Sequence, residues 1–418
     1  MSKKARAVLQ RFEGNPILEP VPGHWWESKA VFNPAAIYED GKVHILYRAI
    51  GDSDESVLGY ASSVDGFHID ARLDKPVYCS PGFADSGLVP SSVTNYSTSY
   101  VLAGNDEEEK IKEVDYVSGG GGLGGCEDPR LTRIDDRVYM TYVAYDGYSP
   151  PRVALTSIHI RDFLAKKWLW ERSVLISAPG VVDKNACIFS ERIESKYVIF
   201  HRIYPNILID FVDDLNFDGK TRWLRGEFKI RPRASYWDSR KVGAGPPPIK
   251  TKDGWVLIYH AIGECDSSRY KIGAMLLDLK DPTRVLFRSN APVLEPQARY
   301  ENEGWKSGVV YPCGAVVIKD RLLVYYGGAD KVTCVASVKL EDFVQQLVNT
   351  PVPGAPRFLV IPSPHSLSPS PQLSAYCLKC RTKREMKNAR KITMKNGKPA
   401  VQGVCPVCGV KMFRIGKA

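Results

Sequence analysis

Four cysteines near the end of the chain form the most specific chemical pattern in the sequence. They make two Cys-x-x-Cys pairs, Cys377 with Cys380 and Cys405 with Cys408. Two such pairs supply the four thiolates of a closed tetrahedral zinc site. A redox-active dithiol would need only one pair, and disulfides are disfavoured in the cytosol. The spacing therefore predicts a structural zinc ion in a small zinc ribbon.

The elements that precede these cysteines repeat one unit five times. Each unit is an apolar strand, a tight polar turn and a second strand rich in aromatic or small residues, and most units are followed by a further strand. Polar turns between alternating β-branched and aromatic residues are typical of hairpins. The units begin at Ala35, Arg130, Ala186, Pro247 and Ala315. Their spacing predicts an all-β fold, a five-bladed β-propeller, with an ordinary β-sandwich as the alternative.

Composition divides the chain into three parts. Residues 351–374 are rich in proline and serine, which is typical of an extended linker. We therefore predict a propeller domain over residues 1–350, this linker, and the zinc ribbon over residues 375–418. The wide gap between the first two repeat units predicts an insertion at residues 81–125, which contains a charged run and a glycine-rich run.

The positive charge of the chain is concentrated in its tail. The formal net charge is +10, and residues 376–418 contain eight lysines and four arginines against one glutamate. A charge argument for a polyanionic partner therefore applies to the tail alone. The sequence has no apolar run of membrane-spanning length and no signal-peptide core, so we expect a cytoplasmic protein that does not contact a membrane.

Several motifs follow one another in order between residues 12 and 345. They include FNPAAIYEDGKVHILYRA, LGYASSVDGF, CEDPRLT, DKNACIF, FHRI, KVGAGPPPIK, YPCGAVV and YYGGAD. This series resembles glycoside hydrolase family 130. The resemblance implies a five-bladed propeller that cleaves β-mannosides with inversion. The family contains phosphorylases, which use inorganic phosphate and release mannose 1-phosphate, and fewer hydrolases.

The resemblance assigns catalytic and phosphate-binding roles to individual residues. Asp128 corresponds to the general acid that protonates the leaving oxygen, although an acidic residue before proline is by itself more often a turn residue. A phosphate nucleophile needs several polar or cationic donors that converge on one point. The corresponding residues here are Lys184, Asn185, Arg202, Lys241 and His260. The family commonly has arginine in place of Lys184, so a planar, bidentate group is missing at that position.

The resemblance also implies a set of polar residues around the mannosyl unit. They are Asn33, Arg48, Asp65, Tyr270 and Asp330. Arg48 and Asp330 each end a strand-like run, as expected for residues at the mouth of a propeller, and Asp330 would accept a sugar hydroxyl. The acceptor sugar would contact the most variable loops, and the sequence does not determine its identity.

Three functions are compatible with these features. The first is a reversible β-mannoside phosphorylase, with inorganic phosphate as co-substrate and a β-mannoside disaccharide or oligosaccharide as substrate. The second is a β-mannosidase-type hydrolase that uses water, and the retained basic residues count against it. The third is a non-catalytic, sugar-binding propeller. The only metal expected is the structural zinc. The ribbon is predicted to be a folded appendage, with a weak nucleic-acid or protein contact through its basic surface as the alternative.

Overall fold

The computed structural model describes residues 7–79, 121–349, 374–393 and 399–415. The chain divides into two units, Met1–Pro353 and Gly354–Ala418. Most of the predicted insertion (81–125) and of the predicted linker (351–374) lies outside the described residues, so the three-part division of the chain stays a prediction.

The strands of the first unit group into five antiparallel blades, and a short parallel pairing of residues 55–56 with residues 124–125 joins blades 1 and 2 into one sheet. Strand β1 (Gln10–Arg11) comes first in the chain and pairs with the last blade. Blade 1 contains β2 (Ala30–Glu39), β3 (Lys42–Ile50), β4 (Glu55–Ser63) and β5 (Ala71–Arg72). Blade 2 contains β6 (Gly124–Ile134), β7 (Arg137–Tyr145), β8 (Arg152–His159) and β9 (Val174–Leu175). Blade 3 contains β10 (Lys184–Ile188), β11 (Tyr197–Ile203), β12 (Asn206–Val212) and β13 (Phe228–Ile230).

The last two blades vary the same arrangement. Blade 4 contains β14 (Lys241–Ala244), β15 (Ile249–Lys250), β16 (Trp255–Gly263), β17 (Asp266–Leu277) and β18 (Val285–Arg288). Blade 5 contains β19 (Val310–Ile318), β20 (Arg321–Gly328) and β21 (Val332–Lys339), with β1 as its fourth strand. In blade 4 the first strand is interrupted, and both β14 and β15 pair with β16. The five predicted hairpins are therefore the first two strands of the five blades.

Helix is scarce in the described part of the chain. Helix α1 (Ile160–Leu164) follows β8, and helix α2 (Leu340–Val348) follows β21. A single 3-10 turn lies at Arg299–Glu301. Helix α2 buries Phe343, Val344 and Leu347 against blades 4 and 5, because its apolar residues recur on one face.

Hydrophobic clusters fill the junctions between neighbouring blades. Each cluster has fully buried members from both blades: Leu46 and Met140 from blades 1 and 2, Val153 and Ile199 from 2 and 3, Phe200 and Leu257 from 3 and 4, Ile272 and Val324 from 4 and 5, and Tyr325 and Ile45 from 5 and 1. Because blade 5 packs against blade 1, the ring is closed. The predicted all-β fold is thus confirmed, and this ring of blades agrees with the predicted five-bladed β-propeller.

Buried carboxylates tie the strands of individual blades together in a repeated way. In blades 1, 4 and 5 a carboxylate from the loop before the first strand accepts a tyrosine hydroxyl from the second strand and pairs with an arginine at the end of the outermost strand. These sets are Glu27 with Tyr47 and Arg72, Asp238 with Tyr259 and Arg288, and Glu301 with Tyr326 and Arg11. The N-terminal strand β1 therefore supplies to blade 5 the arginine that an outermost strand supplies elsewhere.

The second unit contains two small sheets. The first consists of β22 (Ser374–Cys377) and β23 (Thr382–Glu385). The second consists of β24 (Lys387–Thr393), β25 (Pro399–Val404) and β26 (Lys411–Ile415). Two of the four cysteines, Cys377 and Cys405, lie in its small buried core with Met412.

We predict that Arg11→Ala lowers the free energy of unfolding by about 3 kcal/mol, because it leaves the buried Glu301 carboxylate without its guanidinium. The Arg11 Nε lies 2.8 Å from Glu301, whose side chain is 0% exposed. Urea unfolding of the full chain, followed by tryptophan fluorescence, measures the change.

Arg299→Ala is the matched control, because Arg299 also pairs with a glutamate but at a site where both side chains are exposed. Its loss should stay below about 0.5 kcal/mol. Equal losses for the two variants would show that β1 contributes no more than a surface ion pair does.

Candidate active site

Three neighbouring first strands present a polar residue at a β-bulge. Asn33 in β2, Asp128 in β6 and Asn185 in β10 each lie where the strand register shifts. Their φ angles are 49°, 50° and 59°, in the left-handed region that asparagine and aspartate tolerate better than most residues do. A bulge redirects a side chain, which is why bulges are common beside active sites.

The carboxylate of Asp128 is buried and held by residues of blade 1. The Asn33 Nδ2 atom donates to Asp128 Oδ1 at 2.7 Å, and the Arg48 Nη1 atom lies 3.4 Å from the same oxygen. Burial tends to raise the pKa of Asp128, but Arg48, Arg130 and the Asn33 hydrogen bond outweigh burial and hold the pKa below its ordinary value. The Asp128 carboxyl of the protein alone is therefore ionised at neutral pH.

Glu127, the neighbour of Asp128, holds two cations in place. Its Oε1 atom lies 3.2 Å from Arg48 Nη2, and its Oε2 atom lies 3.5 Å from Lys184 Nζ. The side chains of Arg48 and Glu127 are both fully buried. Sequence reasoning did not select Glu127, although an acidic residue beside a candidate acid was the available signal.

The five residues predicted to bind phosphate come from blades 3 and 4. Lys184 and Arg202 are cross-strand partners in β10 and β11, and the neighbouring Asn185 donates to the Tyr311 hydroxyl. Lys241 begins β14, and its Nζ atom lies 4.6 Å from the centre of the Tyr270 ring and donates to the hydroxyl of that ring.

Lys241 has an unusual electrostatic environment. Burial and then the positive charges of Arg202, Lys306 and Lys184 lower its pKa to about 6. Several cations therefore converge on the amine of Lys241. An amine in such a place gains a proton readily once a negative charge arrives.

His260 lies between two aromatic rings with both ring nitrogens unoccupied. It stacks on Tyr311 at 4.4 Å and meets the edge of Tyr270 at 5.9 Å between ring centres. Burial and the nearby Arg202 and Lys241 hold its pKa well below the ordinary value, so it is neutral. Among the described residues, neither nitrogen of His260 has a hydrogen-bond partner.

Other polar atoms of the predicted site also lack partners in the described part of the chain. They are Asn33 Oδ1, Asn185 Oδ1 and Arg202 Nε. Buried polar atoms in native proteins are almost always hydrogen-bonded. Their concentration here, together with His260, indicates a place where a ligand supplies the missing bonds.

Two predicted sugar-binding residues lie beside the cations. Asp330 is buried, and its pKa is raised to about 6 because burial and the charge of Asp128 outweigh the opposing effect of Lys306. The Nζ atom of Lys306 lies 4.5 Å from the centre of the Tyr270 ring, and the Nζ atom of Lys241 lies close to the same ring. Lys306 was not selected from the sequence, because it lies in a loop without a recognisable motif.

Asp65 is not part of this cluster, and its predicted role in sugar binding is wrong. It follows β4, whose end at Ser63 pairs with Val43, whereas Arg48 pairs with Leu58 nearer the start of β4. Its half-exposed carboxylate accepts the backbone N–H groups of Phe67 and His68, each at 2.8 Å. The residue therefore stabilises a turn at the opposite end of blade 1.

The four cysteines of the ribbon form a second candidate site. Their sulfur atoms all lie within 4.8 Å of one another, with Cys377 and Cys408 3.4 Å apart and Cys380 and Cys405 3.9 Å apart. Tetrahedral zinc with bonds of about 2.3 Å to sulfur places sulfur atoms about 3.8 Å apart. The donor set and its spacing therefore fit one zinc ion.

A buried carboxylate beside converging cations can transfer a proton next to a bound anion. The propeller therefore carries a site suited to an enzyme that uses an anionic substrate. The sequence profile of glycoside hydrolase family 130, described as beta-1,4-mannooligosaccharide phosphorylase, matches residues 95–349. A domain family of unknown function matches residues 376–415.

Three proteins of known identity are similar to the chain. A 1,2-beta-oligomannan phosphorylase from Thermoanaerobacter sp. (strain X514) is 39% identical over 80% of this chain and 98% of that protein. A beta-1,2-mannobiose phosphorylase from the same organism is 36% identical over the same shares. The solved structure of the beta-1,2-mannobiose phosphorylase from Listeria innocua, in complex with beta-1,2-mannobiose, is 26% identical with a TM-score of 0.59, over 81% of this chain and 99% of that one.

The chain is therefore an enzyme, and it belongs to glycoside hydrolase family 130. This confirms the resemblance found in the sequence motifs. No helix among the described residues has the length and apolar character needed to cross a membrane.

We predict that a dianion binds this site with uptake of a proton by Lys241. At pH 8 the amine, with its pKa of about 6, is neutral before an anion binds. A bound dianion raises that pKa, so a proton is taken up and affinity falls as pH rises above about 6. Calorimetric titration with sulfate, which does not itself titrate in this range, should give heats that depend on the ionisation enthalpy of the buffer.

Lys241→Met should abolish the buffer dependence of the heat. Lys250→Met is the control, since Lys250 pairs with Glu191 and lies at the other end of blade 4. Proton uptake that persists in Lys241→Met would assign it to another group.

Proposed function

We propose that the protein is an inverting phosphorylase of β-1,2-linked mannosides, which uses inorganic phosphate and releases mannose 1-phosphate in a reversible reaction. The observation that supports this proposal most strongly is the convergence of Lys184, Arg202, Lys241 and His260 beside Asp128, where several polar atoms have no hydrogen-bond partner among the described residues. The β-1,2 linkage rests on the two relatives from Thermoanaerobacter, which are named for that linkage.

Phosphate is held by the cations of blades 3 and 4. Lys184 and Arg202 face it from neighbouring strands, and Lys241 becomes an ammonium ion as the dianion arrives. The neutral His260 and the amide of Asn185 complete its hydrogen bonds. A phosphate oxygen then attacks the anomeric carbon on the face opposite the leaving sugar, so the glycosidic C–O bond breaks with inversion.

Asp128 provides the proton that the leaving oxygen needs. Before the substrates bind, its pKa is low, so the carboxyl lacks the proton that a general acid must donate. Binding of phosphate places negative charge nearby and binding of the sugar removes water, and both changes raise the pKa of a carboxyl group. The proposed acid is therefore prepared by the substrates themselves.

The mannosyl unit lies between Asn33 and Arg48 on one side and Tyr270 and Asp330 on the other. The Tyr270 ring supplies an apolar surface, and the carboxylate of Asp330 accepts a sugar hydroxyl. Asp65 has no part in this binding.

Hydrolysis with water is the second candidate function. A hydrolase needs a carboxylate base to activate water and has no use for a group of converging cations. Glu127 is unsuited to that role, because it is paired with both Arg48 and Lys184. The retained cations therefore favour phosphorolysis.

The test is to incubate the full chain with β-1,2-mannobiose over a range of phosphate concentrations and to measure mannose and mannose 1-phosphate. We expect mannose 1-phosphate, at a rate that saturates with phosphate, because the cations bind the nucleophile. Release of mannose alone, at a rate independent of phosphate, would support the hydrolase.

Asp128→Asn serves as the control for contaminating activity. It keeps the shape of the side chain but cannot donate the proton, so kcat should fall about 10²–10⁴-fold with little change in substrate binding. A variant with nearly normal kcat would remove Asp128 from the mechanism.

We also propose that the ribbon binds one structural zinc ion through Cys377, Cys380, Cys405 and Cys408. Four thiolates at the observed spacing complete a closed tetrahedral site, and such sites stabilise small domains with little hydrophobic core. Thiolate ligands persist in a reducing compartment such as the cytoplasm, which is where the proposal places the protein. The role of the ribbon is that of a folded appendage, and its basic surface suits a weak contact with a nucleic acid or another protein.

Metal analysis of the purified full chain should find about one zinc per chain, because the four thiolates leave no open position. A Cys405→Ser, Cys408→Ser double variant should lose the metal. Cys265→Ser is the control, since Cys265 is an exposed free cysteine outside the ribbon. Equal zinc content in the double variant and the wild type would rule out the site.

A further inference from the structure

In four blades, one residue of the second strand lies directly before the residue that is nearest the candidate active site. We call the place of that preceding residue the anchor position. Its occupants, each with the next residue, are Tyr47 with Arg48, His201 with Arg202, Tyr259 with His260, and Tyr326 with Gly327. Three of these anchors are tyrosines that donate to a buried carboxylate. Blade 3, which carries Lys184 and Arg202, has a histidine instead.

Each anchor tyrosine makes one hydrogen bond to one carboxylate, whereas His201 makes a hydrogen bond to each of two carboxylates. Its Nδ1 atom lies 2.7 Å from Asp183 Oδ2, and its Nε2 atom lies 2.8 Å from Asp210 Oδ2. The side chain is 0% exposed. Two ring nitrogens that both face carboxylates must both carry hydrogen, so the ring is an imidazolium ion.

In blade 3 His201 supplies the positive charge that an arginine supplies in three other blades. In blades 1, 4 and 5 an arginine of the outermost strand balances the buried carboxylate. In blade 3 the imidazolium itself pairs with both carboxylates, Asp183 and Asp210. Burial lowers the pKa of His201, but the two carboxylates outweigh burial and raise the pKa to about 9.

Asp183 connects the histidine to both strands that hold phosphate-binding residues. It directly precedes Lys184, and its Oδ1 atom accepts the backbone N–H of Arg202 at 3.2 Å. Asp210 in turn accepts the backbone N–H groups of Arg225 and Gly226 in the next connection. The position of Lys184 relative to Arg202 therefore depends on the bond between Asp183 and His201.

We propose that His201, clamped between Asp183 and Asp210, is a positioning residue that sets the geometry of Lys184 and Arg202 for phosphate. The proposal rests on the phosphorylase function proposed above. His201 does not touch the phosphate, because its two nitrogens are occupied by the carboxylates. Its replacement should weaken the use of phosphate while leaving the binding of the mannoside and the chemistry at Asp128 in place.

The test is to measure the kinetics of His201→Gln on β-1,2-mannobiose with phosphate varied. Glutamine keeps one hydrogen bond but loses the charge and the second bond. We expect the apparent KM for phosphate to rise about tenfold or more, since small misplacements of binding groups have large effects. The kcat at saturating phosphate and the KM for mannobiose should change by less than about threefold.

Tyr326→Phe is the matched control, because Tyr326 has the same anchor position in blade 5 but precedes Gly327, which has no side chain to position. It should lower the melting temperature without changing the KM for phosphate. A similar rise in the KM for phosphate in both variants, or no rise in His201→Gln, would overturn the positioning role proposed for His201.

Two further measurements keep the outcome decisive. Asp210→Asn preserves the shape of the clamp and should also raise the KM for phosphate if His201→Gln fails to fold. If the wild-type enzyme proves independent of phosphate, the phosphorylase proposal fails. Sulfate affinity, measured by calorimetry, then tests the positioning role of His201 by itself. That role predicts weaker sulfate binding in Asp210→Asn than in Tyr326→Phe.

Discussion

The pairing of buried carboxylates with partners from other strands is the interaction on which the site depends. A buried charge is costly unless it is paired, and removal of one partner is strongly destabilising. Glu27, Asp183, Asp238 and Glu301 are each buried and each tie the loop before a blade to its second strand. The next residue on that strand contributes to the site in three of these blades. The same bonds thus fix the second strand of a blade, and with it the functional side chain that follows the anchor.

The site itself concentrates positive charge that the protein alone does not balance. Lys241 responds by a lowered pKa, and His260 remains neutral. Holding like charges close together costs free energy, which a dianionic ligand recovers when it binds. Glu127 limits this cost on the side of Arg48 and Lys184. Unpartnered polar atoms beside these groups give the ligand specific directions of hydrogen bonding, so charge and geometry both favour a tetrahedral oxyanion.

Propeller architecture explains why such a site can be assembled from remote segments. Each blade contributes one or two short stretches, and closure of the ring places Asn33 of the first blade against Gly327 of the last. The bulges at Asn33, Asp128 and Asn185 break the regular alternation of the strands at the places where side chains must turn toward a ligand. The arginine that β1 supplies to blade 5 shows that closure uses the same chemistry as the individual blades.

The sequence by itself determined the features that depend on local spacing. Hairpin turns between alternating residues predicted the five blades, and two Cys-x-x-Cys pairs predicted the sulfur cluster, because both patterns act over a few residues. Tertiary structure decided which polar residues meet. It excluded Asp65, whose motif forms a turn, and it added Glu127, Lys306 and His201. Their roles depend on contacts between strands, loops and blades, and only the closed ring fixes those distances.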